Sequence, residues 1–171
     1  MSDILNVEIK ARCKNPGKVR DILNAEGADY KGLDKQTDTY FHCENGRLKL
    51  REGNIENSLI FYKRKNQAGP KVSEVTISKI ATDHQIKDVL TKAYGVFIEV
   101  KKDREIYFID NIKFHIDHLQ DLGDFVEIEA IDSTGQLTKE ALEEQCKQFL
   151  TLFDISPEDL ITNSYSDLLN I

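Results

Sequence analysis

The chain has 171 residues, 40% of them apolar and 31% charged, with a formal net charge of −7. That length supports one domain, residues 1–171, with a real core, and the acidic balance argues against a general nucleic-acid binder. Cys13, Cys43 and Cys146 are odd in number and show no C-x-x-C spacing, which excludes a disulfide framework or a zinc ribbon. No apolar run approaches membrane-spanning length and the first residues carry no signal pattern, so the expected setting is cytoplasmic and reducing, with no membrane partner.

In chain order, residues 4–13 read as a strand. Asn15-Pro16 then supplies an N-cap and an N1 proline, and Val19, Ile22 and Leu23 follow at helical spacing up to Gly27. Strands are expected at about 36–43, 46–52, 58–65 and 71–79. Asn45-Gly46 is a tight-hairpin signal between the first two, and Gln67-Ala68-Gly69-Pro70 is a turn. Thr82-Asp83-His84-Gln85 reads as a capping box opening a helix to about 94. Strands at 96–109, 111–118 and 123–131 follow, with Asp110-Asn111 as a tight connection. A helix over 138–152 places Leu142, Cys146, Phe149 and Leu150 on one face. Ser156-Pro157 caps another helix, and Ser164 to Leu169 forms a last short one.

Eight mostly consecutive strands imply an antiparallel sheet in an α+β fold. Several strands alternate charged and apolar residues: Glu8 and Lys10 around Ile9, Arg47-Leu48-Lys49-Leu50-Arg51, Lys113 to Asp117, and Glu127-Ile128-Glu129. Successive strand residues point to opposite faces, so the helices take the apolar face. The charged face is then either open to solvent or curled inward as a barrel lining. An ordinary solvated face mixes signs, whereas here Arg47, Lys49 and Arg51 are all basic and Glu127 and Glu129 both acidic. Like charges two residues apart repel unless something compensates them.

The chemistry such a face offers is specific. Glu8, Glu127 and Glu129 form a carboxylate set suited to Mg²⁺ or Mn²⁺. Lys10, Arg47, Lys49, Arg51, Lys63, Lys102 and Arg104 suit phosphate oxygens. No G-x-x-x-x-G-K-[ST] and no G-x-G-x-x-G is present, and no nucleophile constellation stands out. His115 and His118 point to opposite faces of their strand, which argues against a shared metal.

These residues carry a resemblance. Asn6-Val7-Glu8-Ile9-Lys10 is similar to the E-x-E-x-K signature of the CYTH superfamily, with Asn at the first position. Asp38-Thr39-Tyr40-Phe41, the Arg47–Arg51 run and Lys102, Arg104 and Tyr107 also match. Phe114 to Leu119, Leu122 to Glu129, and Ser164-Tyr165 with Leu168-Leu169 resemble the class IV adenylyl cyclase branch. The superfamily groups those cyclases with thiamine triphosphatases and inorganic triphosphatases. The resemblance implies an eight-stranded antiparallel β-barrel, a triphosphate tunnel with helices packed outside. It implies Mg²⁺ or Mn²⁺ on Glu8 and Glu127, with Glu129 contributing, and Asp117 as a further active-site carboxylate. Lys10, Arg47, Lys49, Arg51, Lys63, Lys102 and Arg104 would hold the triphosphate. The implied activity is conversion of ATP to cyclic AMP and pyrophosphate, with a homodimer as the implied assembly. A metal-dependent triphosphatase and a non-catalytic nucleotide or polyphosphate binder remain the alternatives.

Overall fold

The computed structural model describes residues 5–64 and 69–170. The expected turn at 67–70 falls largely outside them, as do the outermost residues, 4 and 65, of two expected strands.

Among the described residues eight strands and four α-helices form: β1 (Leu5–Arg12), α1 (Pro16–Ala25), β2 (Asp29–Phe41), β3 (Arg47–Glu52), β4 (Ser58–Arg64), β5 (Lys71–Lys79), α2 (Ile86–Tyr94), β6 (Val96–Ile109), β7 (Ile112–Leu119), β8 (Gly123–Asp132), α3 (Lys139–Leu152) and α4 (Tyr165–Leu169). The expected α+β class and antiparallel sheet are both present. Strand order is β1-β5-β4-β3-β2-β6-β7-β8, and β8 pairs in turn with β1. β1 joins β8 from Leu5–Asp132 to Arg12–Phe125, but meets β5 only from Asn6 to Glu8.

Two apolar cores lie on opposite faces of this sheet. Val7, Ile9 and Ala11 of β1 are buried on one face with Phe114, Ile116, Val126 and Ile128. Val19 and Leu23 of α1 and Leu142 and Cys146 of α3 cover them. Each Val, Leu, Ile or Phe among them contributes about 1.5–3 kcal/mol on burial. Phe114 anchors this layer, fully buried and edge-on to Phe149 at 4.7 Å. The second core, Tyr40, Ile60, Tyr62, Val100, Leu119 and Phe125, lies on the other face, with Tyr165 of α4 packed into it. Ser164 caps α4 through a full capping box with Asp167.

Four local expectations fail, each for a physical reason. β2 starts at Asp29, well before 36, because its polar first half is held by a long ladder to β6, with a register shift at Tyr30/Gly32. Asn45-Gly46 is not a two-residue turn: β2 ends at Phe41, opposite Leu48. Gly46 is needed for close approach instead, since a Cβ there would lie 2.8 Å from the Phe61 ring and 2.9 Å from the Tyr62 carbonyl oxygen. The capping box at 82–85 does not form; the N-cap is Gln85, and the His84 ring nitrogen accepts from the Ile86 amide. Ser156-Pro157 opens only a three-residue 3-10 turn. The tight connection at Asp110 is present, with a φ of 49°. Among the described residues no helix is long and apolar enough to cross a membrane.

Candidate active site

Alternation along each strand builds the site. The phase that sends Val7, Ile9 and Ala11 to the helices turns Asn6, Glu8 and Lys10 to the opposite face. The same rule brings Lys49 and Arg51 from β3, Asp38 from β2, Lys102 and Arg104 from β6, Lys113 and His115 from β7, and Glu127 and Glu129 from β8. All line one cavity of about 580 Å³.

The deepest part is a network of buried ions. Asp38, fully buried, accepts from three cations: Arg51 by a two-pronged contact at 2.9 Å, Lys102 at 2.8 Å and Lys49 at 3.2 Å. Burial alone would raise the Asp38 pKa, but Arg51, Lys102 and Lys49 hold it well below the usual carboxylate range. Burial pulls Lys102 down to about 7; Asp38 opposes this, while Arg104, Arg51 and Lys49 add to it. One strand further, Arg104 makes a bidentate pair with Asp117 at 2.6 and 2.7 Å and reaches Glu127 at 3.1 Å. Glu127 also takes Lys10 at 2.9 Å and His115 Nδ1 at 3.0 Å. Against the effect of burial, Lys10 and Arg104 keep Glu127 well below its ordinary pKa. An ionised Glu127 fixes the His115 tautomer with the proton on Nδ1, and burial lowers that imidazole's pKa. His115 Nε2 is buried with no hydrogen-bond partner.

α4 closes one end of this network. Its Tyr165 hydroxyl donates to Asp117 at 2.7 Å, and the Lys10 ammonium sits 3.7 Å from the Tyr165 ring centroid. Burial, then Asp117 and Glu127, push the Tyr165 phenol well above its usual pKa.

Most of the expected set is brought together: Glu8, Lys10, Lys49, Arg51, Lys102, Arg104, Asp117, Glu127 and Glu129 lie in or against this cavity. Arg47 shares their face, but its guanidinium is bound to Asp167 at 2.9 and 3.0 Å and to Ser164, so it anchors α4. Lys63 is a correction. Ser58, Ile60 and Tyr62 take the inner face of β4, which turns Lys63 outward, where it is exposed and opposite Glu74. Asp38, His115, Tyr165 and Glu56, which pairs with Arg51 at 3.2 Å and with Lys113, are participants that sequence reasoning did not place in the site. Asp38, His115 and Tyr165 lie within the motifs that carry the resemblance, and the alternation of Asp38 with Tyr40 in β2 is the available signal for the first.

Glu8, Glu129 and Asn6 are the residues that could hold a hard divalent cation. Glu8 and Glu129 are direct cross-strand partners between β1 and β8, and both line the cavity. Asn6 donates through Nδ2 to Glu129, and its Oδ1 is buried without a partner beside them. That oxygen-only donor set suits Mg²⁺ or Mn²⁺. Glu127 lies near but is committed to its three partners. Among the described residues no three His, Cys, Asp or Glu side chains close a cage, so substrate oxygens and water would complete the coordination shell.

A Methanocaldococcus jannaschii protein named "Putative adenylate cyclase MJ0240" is 29% identical over 182 residues, covering 96% of this chain and 98% of its own length. The structure of PH1012 from Pyrococcus horikoshii matches with a TM-score of 0.80 at 22% identity, over 95% of this chain and 98% of that one. HpAC1 of Hippeastrum, named "Putative adenylyl cyclase" and described as having a dominant triphosphatase activity, matches at 15% identity with a TM-score of 0.61, over 96% and 93% of the two chains. At these identities the two structures speak for the fold. The CYTH domain model matches residues 5–165, and the chain belongs to the CYTH domain family.

Proposed function

We propose that the chain is a metal-dependent enzyme that draws a triphosphate into a tunnel formed by the sheet, and that its reaction is that of a class IV adenylyl cyclase, ATP to cyclic AMP and pyrophosphate. The observation that carries the triphosphate reading is the convergence of Lys49, Arg51 and Lys102 on the one carboxylate of Asp38. Three basic side chains gather on one buried carboxylate, with Glu56 reaching only Arg51 among them, and the crowding helps burial pull the Lys102 pKa down to about 7. A bound polyanion relieves the crowding. The choice of cyclase is supported by the resemblance of Phe114–Glu129 to that branch and by the name of the M. jannaschii relative.

The roles of the residues follow. Lys49, Arg51, Lys102, Arg104 and Lys10 hold phosphate oxygens and, being held by Asp38, Asp117 and Glu127 beforehand, need little reorganisation as charge shifts. Asp117 and Tyr165 position Arg104 and Lys10. Glu8, Glu129 and Asn6 would hold the divalent cation, with Glu127 contributing if it releases a cationic partner. What Mg²⁺ or Mn²⁺ supplies when bound is charge neutralisation at the attacked phosphorus and acidification of the attacking hydroxyl. The ribose 3′-hydroxyl gives its proton to solvent, its oxygen attacks the α-phosphorus in line, and the bond from that phosphorus to the pyrophosphate oxygen breaks, the leaving pyrophosphate paired with the lysines and arginines.

A triphosphatase is the second reading, favoured by the activity described for HpAC1 on this fold. Incubation with ATP and Mg²⁺ or Mn²⁺, followed by product separation, decides. Cyclic AMP with pyrophosphate supports the cyclase; ADP with phosphate, or hydrolysis of tripolyphosphate or thiamine triphosphate alone, supports the triphosphatase. Tight binding with no turnover of any of them leaves a binding module.

A further inference from the structure

One anion in the cavity does not come from the sheet. Glu56 lies in the loop between β3 and β4 and lines the cavity, where its carboxylate meets Arg51 at 3.2 Å, Gln36 at 3.2 Å and Lys113. The loop is strapped down through its backbone. The amides of Ile55 and Glu56 both donate to the buried Asp34 carboxylate at 2.9 Å, and the Asn57 side chain exchanges hydrogen bonds with the Gly53 backbone across the loop. Gly53 packs so closely on Asp34 that a Cβ would lie 2.5 Å from its Oδ1. Asp34 therefore fixes where the loop sits, and the Glu56 carboxylate is left to face the cations.

This carboxylate differs from the others that hold the site's basic residues. Asp38, Asp117 and Glu127 sit on strands and are at most 9% exposed. The Glu56 side chain is 25% exposed, so it keeps part of its hydration and can turn to water without carrying a bare charge through the interior. What it covers is specific. Arg51 gives Nε and Nη2 to Asp38, and Glu56 takes Nη1. A guanidinium offers its donors in a planar fork, so with Asp38 on one edge, the end left for a phosphate is the one Glu56 occupies. Lys113 also has Glu56 as its ion-pair partner. Against the effect of burial, Lys113 and Arg51 hold the Glu56 carboxyl well below the usual carboxylate range.

We infer that Glu56 is a built-in competitor for the cavity's cations, an autoinhibitory contact that an entering polyanion displaces from Arg51 and Lys113. The inference rests on the triphosphate reading above and adds a regulation of that site. In the empty chain Glu56 compensates Arg51 and Lys113. A polyphosphate brings several charges at once and takes over Arg51 Nη1 and the Lys113 ammonium. Asp38 stays on its strand, and Glu56 turns to water. Displacing it weakens the binding of every polyanion that reaches these two residues, and its return to them favours release of an anionic product.

The test is titration calorimetry on the full chain with inorganic tripolyphosphate, in EDTA so that nothing turns over. Glu56→Gln keeps the length of the side chain and the backbone bonds to Asp34, and removes the charge. Glu52→Gln, at the end of β3 and outside the cavity lining, removes an equal charge nearby. Glu56→Gln should tighten tripolyphosphate by about threefold to thirtyfold, and Glu52→Gln should leave it within about twofold. Glu56→Ala, which keeps the same backbone bonds, takes its place if the glutamine variant does not melt cooperatively. Binding by the Glu56 variant where the wild type binds nothing supports the competitor in its strongest form. An unchanged or weaker affinity in the Glu56 variant, or an equal gain in Glu52→Gln, overturns it while the triphosphate reading stands. If neither the wild type nor the Glu56 variant binds tripolyphosphate, the triphosphate reading falls and the competitor with it.

Discussion

Replacing Asp38 with Asn keeps the shape of the side chain and removes the charge on which Lys49, Arg51 and Lys102 converge. Asp38 is 1% exposed, and Lys102 and Arg51 are nearly as buried. Breaking a buried pair by removing one partner costs about 3–5 kcal/mol, since the remaining charge keeps its desolvation penalty. For a chain of this length each kcal/mol moves the melting temperature by about 2–4 °C, so Asp38→Asn should melt roughly 6–20 °C lower. The second half of the prediction is more diagnostic. With Asp38 neutral, Lys49, Lys102 and Arg51, the last still reached by Glu56 at 3.2 Å, lose their shared counter-charge, so tripolyphosphate should raise the variant's melting temperature more than it raises the wild type's. At a ligand concentration one hundred times Kd the wild-type gain is about 2.7 kcal/mol. Differential scanning fluorimetry with and without tripolyphosphate, backed by urea unfolding, measures both. A loss below about 1 kcal/mol, or a ligand shift no larger than wild type's, would refute the view that Asp38 stands in for the polyanion.

Lys102 gives a pH signature. Burial lowers its folded-state pKa from 10.5 to about 7, so between about pH 7 and pH 10.5 the unfolded chain binds more protons there than the folded one, and this group's contribution to stability rises with pH across that window. Polyanion binding should restore the proton, so calorimetry at pH 8 in two buffers of different ionisation enthalpy should show net proton uptake; none would remove Lys102 from the phosphate site. Tyr165→Phe loses the hydroxyl donated to Asp117 but keeps the ring under Lys10. It should cost about 1.5–3 kcal/mol as a hydrogen bond to a charged group, read by urea unfolding, and an unchanged midpoint would show that α4 is not pinned by this bond. Lys63→Ala, at an outward position, should leave the affinity for tripolyphosphate within about twofold, whereas Lys102→Ala should weaken it by at least about tenfold; equal effects would reverse the assignment of the inner face of β4. Glu8→Gln should weaken Mn²⁺ binding, measured directly by electron paramagnetic resonance, by about tenfold or more if the Glu8–Glu129 wall holds the cation.

Lys63 and Asp38 mark where sequence reading succeeds and fails. Along β1, Asn6, Glu8 and Lys10 alternate with Val7, Ile9 and Ala11, so the phase of the strand is visible in the residues themselves. In β3 the three basic residues alternate with two leucines, and their shared face is equally plain. β4 reads Ser58-Leu59-Ile60-Phe61-Tyr62-Lys63, apolar at both parities, so nothing local says which face is inward. That is why Lys63 was placed with the phosphate-binding residues, and only the pairing of Ile60 with Ile77 and Lys49 resolves it. The turn at Asn45-Gly46 has the same origin: β2 and β3 do form the hairpin, but through a longer loop, and the glycine answers to Phe61 on a neighbouring strand.

What this sequence determined by itself was local and periodic: the strands, the amphipathic helices α1 and α3, the Ser164 cap, and the identity of the charged face. Those depend on residue types within a few positions of each other, where sterics, capping and alternation act directly. Tertiary structure decided which charges meet. Asp38 finds Lys102 because β2 lies beside β6, and Glu8 finds Glu129 because β8 returns to β1. Tyr165 reaches Asp117 because Arg47 and Asp167 hold α4 over the end of the cavity. Strand order is set by packing of the whole chain, and electrostatic energy depends on distances and burial that no local stretch of residues contains.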